Sequence, residues 1–270
     1  AVQWIGHPGP RAQPDRNGRK PSPLSTNGRL FVQGLQRVIA VDAFNGTILW
    51  GIEIPALERF NMPRDCSNWC ADEKHVYLAA KDKCWQIDAA TGDILAFHPV
   101  VNAKREDWSY DWGFIAQTQD YVIGSAEKAG TAFTSFWGDA GAGWYDATEG
   151  PVTFKVCSDS LFVRQKSDGE AAWTYENGVI INSTITIDES RVYFVECRHE
   201  KIKQAQNRRV GAPELWQQQF LVALDLKTGR IVWEQSLQTV PGTVAFYLAA
   251  GDDALVINAS TDKKYEVSAY

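Results

Sequence analysis

The fold is decided by Ala40-Val41-Asp42-Ala43-Phe44-Asn45-Gly46-Thr47-Ile48-Leu49-Trp50, a stretch that returns in recognisable copies further down the chain. Its clearest copy is Leu221-Val222-Ala223-Leu224-Asp225-Leu226-Lys227-Thr228-Gly229-Arg230-Ile231-Val232-Trp233, which keeps the apolar positions, the Asp, the Gly and the final Trp. A weaker copy begins at Gln86, with Phe97 in place of the Trp, and another begins at Gln165 and ends at Trp173. Recurrence of this kind indicates a repeat architecture.

Each copy predicts a strand, a tight turn and a second strand. Apolar residues alternate along the first strand, and an Asp or Asn followed by Gly supplies the positive φ that a short hairpin requires. A large aromatic residue recurs at one fixed place in each repeat. We therefore predict that its side chain acts as a plug, filling the space between neighbouring units. A further pair of apolar strands precedes each hairpin, beginning at 28–32, 75–79 and 191–195. Four short antiparallel strands per unit are typical of a propeller blade.

The spacing of the repeats fits this architecture. Trp50 follows Trp4, and Phe97 follows Trp50, by about one blade repeat of roughly 40–50 residues. The later intervals are longer, and the excess falls at 127–154 and 198–216, which we interpret as loops inserted between strands of a blade because neither keeps a strand or helix period. We therefore predict a single all-β domain over residues 1–270, a β-propeller of four-stranded antiparallel blades with about five units visible. Because both ends interrupt a repeat, we expect either further blades in a larger ring or closure by the N-terminal strand.

Composition agrees with an exported all-β domain. Eleven Trp, nine Tyr and twelve Phe stand against one Met, a mixture that suits interlocked sheets better than helical bundles. The net charge of -6 gives no basic footprint for nucleic acid, and no apolar run is long enough to span a bilayer. No signal peptide stands at residue 1, so we expect either a removed targeting segment or a start inside a longer chain. The predicted location is the bacterial periplasm or the extracellular space.

The repeated apolar-Asp-x-x-Thr/Asn-Gly-x-x-x-Trp hairpin resembles the repeat of PQQ-like (quinoprotein-type) β-propellers. That family includes pyrroloquinoline quinone alcohol dehydrogenases and outer-membrane assembly lipoproteins that bind no quinone. The stretches 4–11, 37–47 and 181–185 are similar to a bacterial, planctomycete-type branch of it. The resemblance covers nearly the whole chain outside the two insertions. It implies a propeller fold and no particular activity.

The resemblance also allows the quinone enzymes to be compared with this chain. Those dehydrogenases carry two adjacent cysteines, joined as a disulfide over the cofactor, and Glu, Asn and Asp ligands to a calcium or lanthanide ion. Here three residues separate Cys66 from Cys70, no Glu-Asn-Asp set can be matched, and the Cys-x-x-Cys-His motif of a c-type haem is absent. Pyrroloquinoline quinone with calcium or a lanthanide therefore belongs only to an alternative interpretation. We expect no resident metal.

Polar residues stand where the innermost strands of a propeller would begin. Segments that lead into core strands are seldom so polar, and their side chains would supply charge, hydrogen bonds and a stacking surface at the mouth of a central funnel. The opposite interpretation stays open: these groups satisfy one another and buried water around a channel. The predicted ligand-binding residues are Arg64, Asp65, Asn68, Asp111, Trp112, Asn182 and Ser183.

The five cysteines leave at least one thiol unpaired if every bond is internal. In an exported propeller we expect a disulfide between Cys66 and Cys70, or between one of them and Cys84 in the same blade. A zinc site built from these cysteines and His75 is disfavoured because the spacing is unlike structural zinc motifs.

Three classes of function follow. We favour a non-catalytic scaffold that recognises a protein or ligand through its rims and insertions. The alternatives are a cofactor-dependent oxidoreductase of the quinoprotein dehydrogenase type using the central funnel, and a module that binds carbohydrate or another polymer. In the last case five aromatic residues of the first insertion would provide stacking surfaces: Phe133, Phe136, Trp137, Trp144 and Tyr145. The basic stretch from Lys201 to Arg209 is most simply a solvated loop, and a partner-docking face is the alternative.

Overall fold

The computed structural model of the protein describes residues 21–34, 36–55, 57, 67–101, 104–105, 108–131, 154–239, 245–251, 254–261 and 264–270. These residues form five antiparallel sheets. The first sheet contains β1 (Leu24–Thr26), β2 (Arg29–Gly34), β3 (Arg37–Asp42) and β4 (Ile48–Glu53). The second contains β5 (Trp69–Ala71), β6 (His75–Ala80), β7 (Lys83–Asp88) and β8 (Ile94–Pro99). In both, the strands pair in chain order.

The third and fourth sheets share a stretch of chain. The chain continues with β9 (Lys104–Arg105), β10 (Trp108–Gln117), β11 (Tyr121–Lys128), β12 (Lys155–Ser158), β13 (Ser160–Gln165) and β14 (Ala171–Tyr175). All except β12 form the third sheet, in the order β14-β13-β11-β10-β9. Next come β15 (Val179–Ile181), β16 (Thr186–Ile187), β17 (Arg191–Cys197), β18 (Arg209–Val210), β19 (Gln219–Asp225) and β20 (Ile231–Leu237). The fourth sheet has the order β18-β12-β15-β17-β19-β20, and β16 also pairs with β17.

The fifth sheet contains β21 (Ala245–Ala250), β22 (Leu255–Ser260) and β23 (Tyr265–Ala269). Helical structure in the described part of the chain is limited to a four-residue α-helix, α1 (Glu200–Lys203), and two 3-10 turns at Asn182–Thr184 and Pro213–Trp216. The prediction of an all-β chain built from four-stranded antiparallel units is confirmed.

The sheets stack face to face in chain order. Side chains alternate along each strand, so a central strand sends successive residues into the two cores on its opposite faces. In β6, Leu78 packs with the first sheet, whereas its neighbour Tyr77 packs with the third. In β17, Phe194 packs with the third sheet and Val195 with the fifth. Four cores shared by consecutive four-stranded antiparallel units are the packing expected of β-propeller blades.

The repeat hairpins close as the sequence predicts. In the first, the Asp42 carboxylate accepts hydrogen bonds from the backbone N–H groups of Phe44 and Asn45, at 2.8 and 3.0 Å. Gly46 then adopts a φ of 75° and donates its N–H to the Asp42 carbonyl. The hairpins that end at Trp173 and Trp233 also place a glycine at positive φ. Short-range turn chemistry therefore fixes these units.

The second hairpin differs from the prediction at Phe97. In the first sheet, Trp50 pairs with Ala40 of the neighbouring strand. The equivalent pair in the second sheet is Ala96 with Gln86, so Ala96 and not Phe97 holds the position of Trp50. Phe97 lies on the opposite face, half-exposed, with its ring 4.7 Å from that of Trp85. Because side chains alternate between the two faces of a strand, an aromatic residue one position later lies on the wrong face to fill the space between neighbouring sheets.

His98 fills the corresponding gap between the second and third sheets. A Cβ on Gly169 would lie 2.5 Å from His98 Cε1, so the imidazole takes the space that an indole takes at the other joints. Arg164 completes this joint by donating from Nη1 to the carbonyl of Gly169 at 2.7 Å and from Nη2 to that of Pro99 at 2.6 Å.

The two insertions meet in the fourth sheet. Of the first insertion, residues 132–153 lie outside the described part, but β12 follows it and pairs with β15. The second insertion lies between β17 and β19, as expected, and contains α1 and β18 rather than only loop. β18 pairs with β12 through Lys155 opposite Val210 and Val156 opposite Arg209. Two extra strands thus extend this blade beyond its innermost strand.

Candidate functional site

A cleft of about 570 Å³ lies where the second insertion meets the third and fourth sheets. The start of β10 and the end of β11 form one side, and the turn 176–178 between the two sheets forms another. The insertion closes the cleft with residues from α1 and from the segment before β18. The side chains that give the cleft its chemistry are Trp108, Tyr110, Lys128, Asp159, Lys203 and Arg208.

Arg208 fixes the insertion to the rest of the protein. Its side chain is 2% exposed, and its Nε donates to Asp159 Oδ1 in an ion pair. Nη1 donates to the carbonyls of Ile202 and Ala205, at 2.9 and 3.0 Å, and Nη2 donates to that of Lys203 at 2.9 Å. One buried guanidinium therefore hydrogen-bonds the carbonyls around α1 and links them to Asp159, the residue before β13. The wall of the cleft is preformed.

Asp159 receives a second hydrogen bond from the third sheet. The hydroxyl of Tyr110 in β10 donates to Asp159 Oδ2 at 2.9 Å. Each oxygen of this carboxylate thus has a strong donor, and its charge is balanced by Arg208. Neither Arg208 nor Asp159 is left with a charge to offer a ligand.

Lys128 is a second buried cation of the cleft. It is 5% exposed, donates from Nζ to the carbonyl of Ala205 at 2.6 Å and lies 3.7 Å from the centroid of the Trp108 ring. Burial lowers the pKa of this lysine, and the nearby positive charge of Arg208 lowers it further, while Asp159 acts in the opposite sense. Within the described residues no carboxylate oxygen lies within ion-pair distance of Lys128. An anion in the cleft would stabilise its charge.

The outer part of the cleft is accessible to solvent. Lys203 stands at the mouth, with its side chain 40% exposed and its Nζ 3.3 Å from Glu200 Oε1, a weak surface pair. Glu176 and Asn177 are exposed on the turn between the third and fourth sheets. Cationic donors and oxygen acceptors therefore both line the opening.

A buried network holds this turn from behind. Glu196 is fully buried and accepts hydrogen bonds from the hydroxyl of Tyr175 at 2.9 Å and the N–H of Gly178 at 3.0 Å. Arg198 Nε donates to the same carboxylate at 2.7 Å, and its terminal nitrogens bind Glu234. Burial raises the pKa of Glu196, and the bonds from Arg198 oppose that rise. The network fixes both ends of the 176–178 turn.

The funnel residues predicted from the sequence lie deeper than expected. Arg64 and Asp65 fall outside the described residues. Asn68 is 5% exposed and exchanges two amide hydrogen bonds with Gln33, at 2.9 and 3.1 Å. Trp112 is packed edge-on against Phe162, with ring centroids 4.8 Å apart.

The remaining funnel residues also have protein partners. Asp111 is buried, accepts the N–H of Gly130 at 2.8 Å and has its pKa raised by burial. Ser183 donates to the carbonyl of Phe246 at 2.6 Å and so joins the fourth blade to the fifth. No hydrogen bond connects any two of Asn68, Asp111, Asn182 and Ser183 in the described part of the chain. Their role as ligand-binding residues stays a prediction.

Asn182 belongs to a buried polar cluster that the sequence did not indicate. Its Oδ1 accepts the hydroxyl of Ser158 at 2.7 Å, and its Nδ2 lies 3.4 Å from Glu127 Oε2. The cluster closes over Gly113, where a Cβ would lie 2.8 Å from both Glu127 Oε2 and Ser125 Oγ. The glycine inside a long strand was the signal for this close approach.

This cluster is the nearest match to the Glu, Asn and Asp donors of a quinone-associated metal. The donors do not fit that role, because the amide oxygen of Asn182 is taken by Ser158 while its amide nitrogen faces Glu127. In the described ranges no three His, Cys, Asp or Glu residues are grouped to hold a metal ion. Trp112 is 3% exposed and has no open face for a quinone. We therefore assign no step to pyrroloquinoline quinone, calcium or a lanthanide.

The predicted disulfide between Cys70 and Cys84 is not formed, since both are free thiols. Cys70 lies in β5 and Cys84 in β7, with β6 between them, so their backbones are about two strand spacings apart, roughly 9–10 Å. A disulfide needs Cα atoms within about 7 Å. A bond that involves Cys66 concerns a residue outside the described part.

Fold and cleft together define the class: this is a β-propeller protein with a cleft between its third and fourth blades. Within the described residues no helix has the length and apolar character needed to cross a membrane. No family model matches the sequence, and comparison with curated proteins gives no match.

Solved structures with a similar fold have very different sequences. BamB from Moraxella catarrhalis is 12% identical over 92% of this chain and 68% of its own, with a TM-score of 0.39. A europium-containing methanol dehydrogenase is 14% identical over 81% of this chain and 42% of its own, with a TM-score of 0.46. The Pan2 WD40 domain of Neurospora crassa is 10% identical over 91% of this chain and 63% of its own, with a TM-score of 0.49. Function must be inferred from the residues of the cleft.

Proposed function

We propose that this protein is a non-catalytic recognition module whose ligand binds in the cleft between the third and fourth blades. The observation that carries the proposal is the burial of Arg208 at 2% exposure, with its donors directed to Asp159 and to three carbonyls around α1. A guanidinium used in this way builds a wall and takes no part in chemistry. A preformed wall lowers the entropy lost on binding.

The size and lining of the cleft support the proposal. Its volume of about 570 Å³ falls within the roughly 300–1,000 Å³ of small-molecule sites. The ammonium of Lys128 lies over the ring of Trp108, so aromatic surface and positive charge meet in the cleft, and small-molecule sites commonly combine apolar lining with a few polar groups. The polar groups fix orientation, and the scaffold of sheets keeps them in place.

The experiment measures binding by tryptophan fluorescence and calorimetry with a fixed panel of ligands. The panel contains neutral and acidic disaccharides, short acidic peptides, inorganic phosphate, and pyrroloquinoline quinone with and without calcium. We expect at least one ligand to bind with 1:1 stoichiometry and to be recovered chemically unchanged after incubation. Lys128→Met should weaken that binding at least tenfold. Lys201→Met, an exposed lysine of the same insertion paired with Glu214, should leave it unchanged.

Three outcomes would overturn the proposal. They are binding that Lys128→Met does not affect, conversion of a bound ligand into product, and a folded protein that binds no member of the panel. Stoichiometric binding of the quinone with reduction of the cofactor by an alcohol would instead support the oxidoreductase alternative.

A further inference from the structure

We infer that the ligand of the cleft is an acidic sugar, a saccharide that carries a carboxylate. This inference rests on the proposed function and names its ligand class. It follows from which charges in the cleft are already neutralised, and from the presence of acceptors beside the remaining cations.

Two of the three cations that line the cleft can receive a carboxylate. Arg208 is not available to a ligand, because its donors are directed to Asp159 and to backbone carbonyls. Lys128 uses one of its three N–H groups for the carbonyl of Ala205, two residues beyond Lys203 along the insertion. Lys203 stands at the mouth with only a weak surface pair to Glu200. A carboxylate between Lys128 and Lys203 would gain charge-assisted hydrogen bonds from both.

The burial of Lys128 makes this charge unusual. Long side chains with a charged end are almost never buried unless they are paired. Here the lysine is 5% exposed, and the partners of its ammonium in the described part of the chain are a neutral carbonyl and the face of Trp108. A buried cation held beside another cation is an anion-binding group that lacks its anion.

The remaining lining indicates a hydroxylated ring in addition to the carboxylate. Trp108 is the half-buried aromatic side chain of the lining, and the part of its ring that Lys128 does not cover offers a surface on which the C–H face of a sugar ring packs. Glu176 and Asn177 are exposed across the opening, and their oxygens accept hydrogen bonds from hydroxyl groups. A simple inorganic anion would gain nothing from the aromatic surface. A ligand with a carboxylate, an apolar ring face and hydroxyl donors uses all of these groups.

The test compares acidic disaccharides with neutral partners of the same skeleton. The probes are digalacturonate against galactobiose and cellobiouronate against cellobiose, with inorganic sulfate as a control for charge alone. We expect at least one acidic member to bind ten times more tightly than its neutral partner, with affinity that falls as salt is added. Lys128→Met and Lys203→Met should each reduce this preference, and Trp108→Leu should weaken sugar binding more than sulfate binding.

Lys203 is exposed, so Lys203→Met keeps the test decisive if Lys128→Met fails to fold. Equal binding of acidic and neutral partners would overturn the inference while leaving the recognition function intact. So would binding of the acidic peptides or phosphate of the larger panel in the absence of sugar binding. Sulfate that binds as tightly as the acidic sugars would show a site for charge alone and would also overturn it. Failure of every ligand in both panels would remove the proposed function itself.

Discussion

The indole ring of Trp50 lies directly on Gly92, one blade further along the chain. Its Nε1 donates to the carbonyl of Ala89 at 3.1 Å, and a Cβ on Gly92 would lie 2.8 Å from Cδ2 of the ring. Trp173 has the same relation to Gly229, with Nε1 2.8 Å from the carbonyl of Leu226. The tryptophan that ends one repeat therefore docks on the turn glycine of the next. One repeated motif supplies both halves of the joint.

Gly92→Ala should destabilise the protein through this joint. The new methyl group would meet the Trp50 ring, and the backbone φ of +81° adds left-handed strain. Overpacking and strain together predict a loss of about 2–4 kcal/mol in the free energy of unfolding, measured with urea. Gly130→Ala is the matched control, because its φ of +83° is the same but no described atom lies within 4 Å of its Cβ position. It should cost only about 1 kcal/mol.

A double-mutant cycle separates the contact from the strain. With Trp50→Ala in place, the cost of Gly92→Ala should fall towards that of Gly130→Ala, since the ring is gone and only the strain remains. An unchanged cost in the Trp50→Ala background would show that the ring contact does not stabilise the joint.

Arg208→Met should loosen the second insertion. The substitution leaves Asp159, which is partly buried, without its cation and removes the donors to the carbonyls of Ile202, Lys203 and Ala205. Breaking a buried ion pair costs about 3–5 kcal/mol, and here that cost falls on one segment. We expect hydrogen exchange in 198–216 to increase by at least a hundredfold while β2, β3 and β6 keep their protection. Lys201→Met should leave exchange in the same segment unchanged.

The blades could be predicted from the sequence because their determinants are local. An Asp, a Gly at positive φ and alternating apolar residues lie within one hairpin, so the pattern is legible without knowledge of the rest of the chain. The error at Phe97 has the same origin. The sequence pattern places an aromatic residue near the end of this repeat. The face on which that residue lies depends on its exact register, and Phe97 stands one residue beyond the position equivalent to Trp50.

The cleft could not be predicted because its residues meet only through long-range packing. Arg208 binds Asp159, 49 positions earlier, and Lys128 binds the carbonyl of Ala205, 77 positions later. The basic stretch that includes Arg208 has the sequence of a solvated loop, since sequence alone does not show which of several neighbouring cations is buried. The funnel residues illustrate the converse, because Asn68 and Asp111 are polar in sequence yet buried against partners from other strands or turns.

His98 should make the joint between the second and third blades sensitive to acid. Burial lowers the pKa of His98, and the charge of Arg164 lowers it further, so the unfolded chain binds this proton more readily than the folded protein. The contribution of His98 is therefore complete above the unfolded value of 6.5 and is lost as pH falls below it towards the lower folded value. Urea unfolding at about pH 7.5 and about pH 5.5 should show lower stability at the acidic value.

His98→Gln provides the comparison, since a glutamine keeps a donor near Gln86 but does not titrate. The variant should lose less stability than the wild type between the two pH values. Direct titration of the His98 ring by NMR should give a pKa below 6.5. An equal pH dependence in the variant and the wild type would assign the acid sensitivity to other groups.

Cys70 and Cys84 should react slowly with alkylating agents, although Cys70 is partly exposed and Cys84 is buried. Burial raises the pKa of Cys70 to about 12 and raises that of Cys84 as well. The thiolate is the form that attacks an alkylating agent, so a raised pKa slows the reaction of both residues at about pH 8. Without reductant, iodoacetamide should therefore leave both residues unlabelled in the folded protein and label both after unfolding in urea, as measured by mass spectrometry of the peptides. Lys201→Cys, which places a thiol on an exposed position of α1, should be labelled in the folded protein and so controls for the reagent. A cross-linked peptide joining Cys70 to Cys84 in a non-reduced digest would contradict the separation of β5 from β7 by β6.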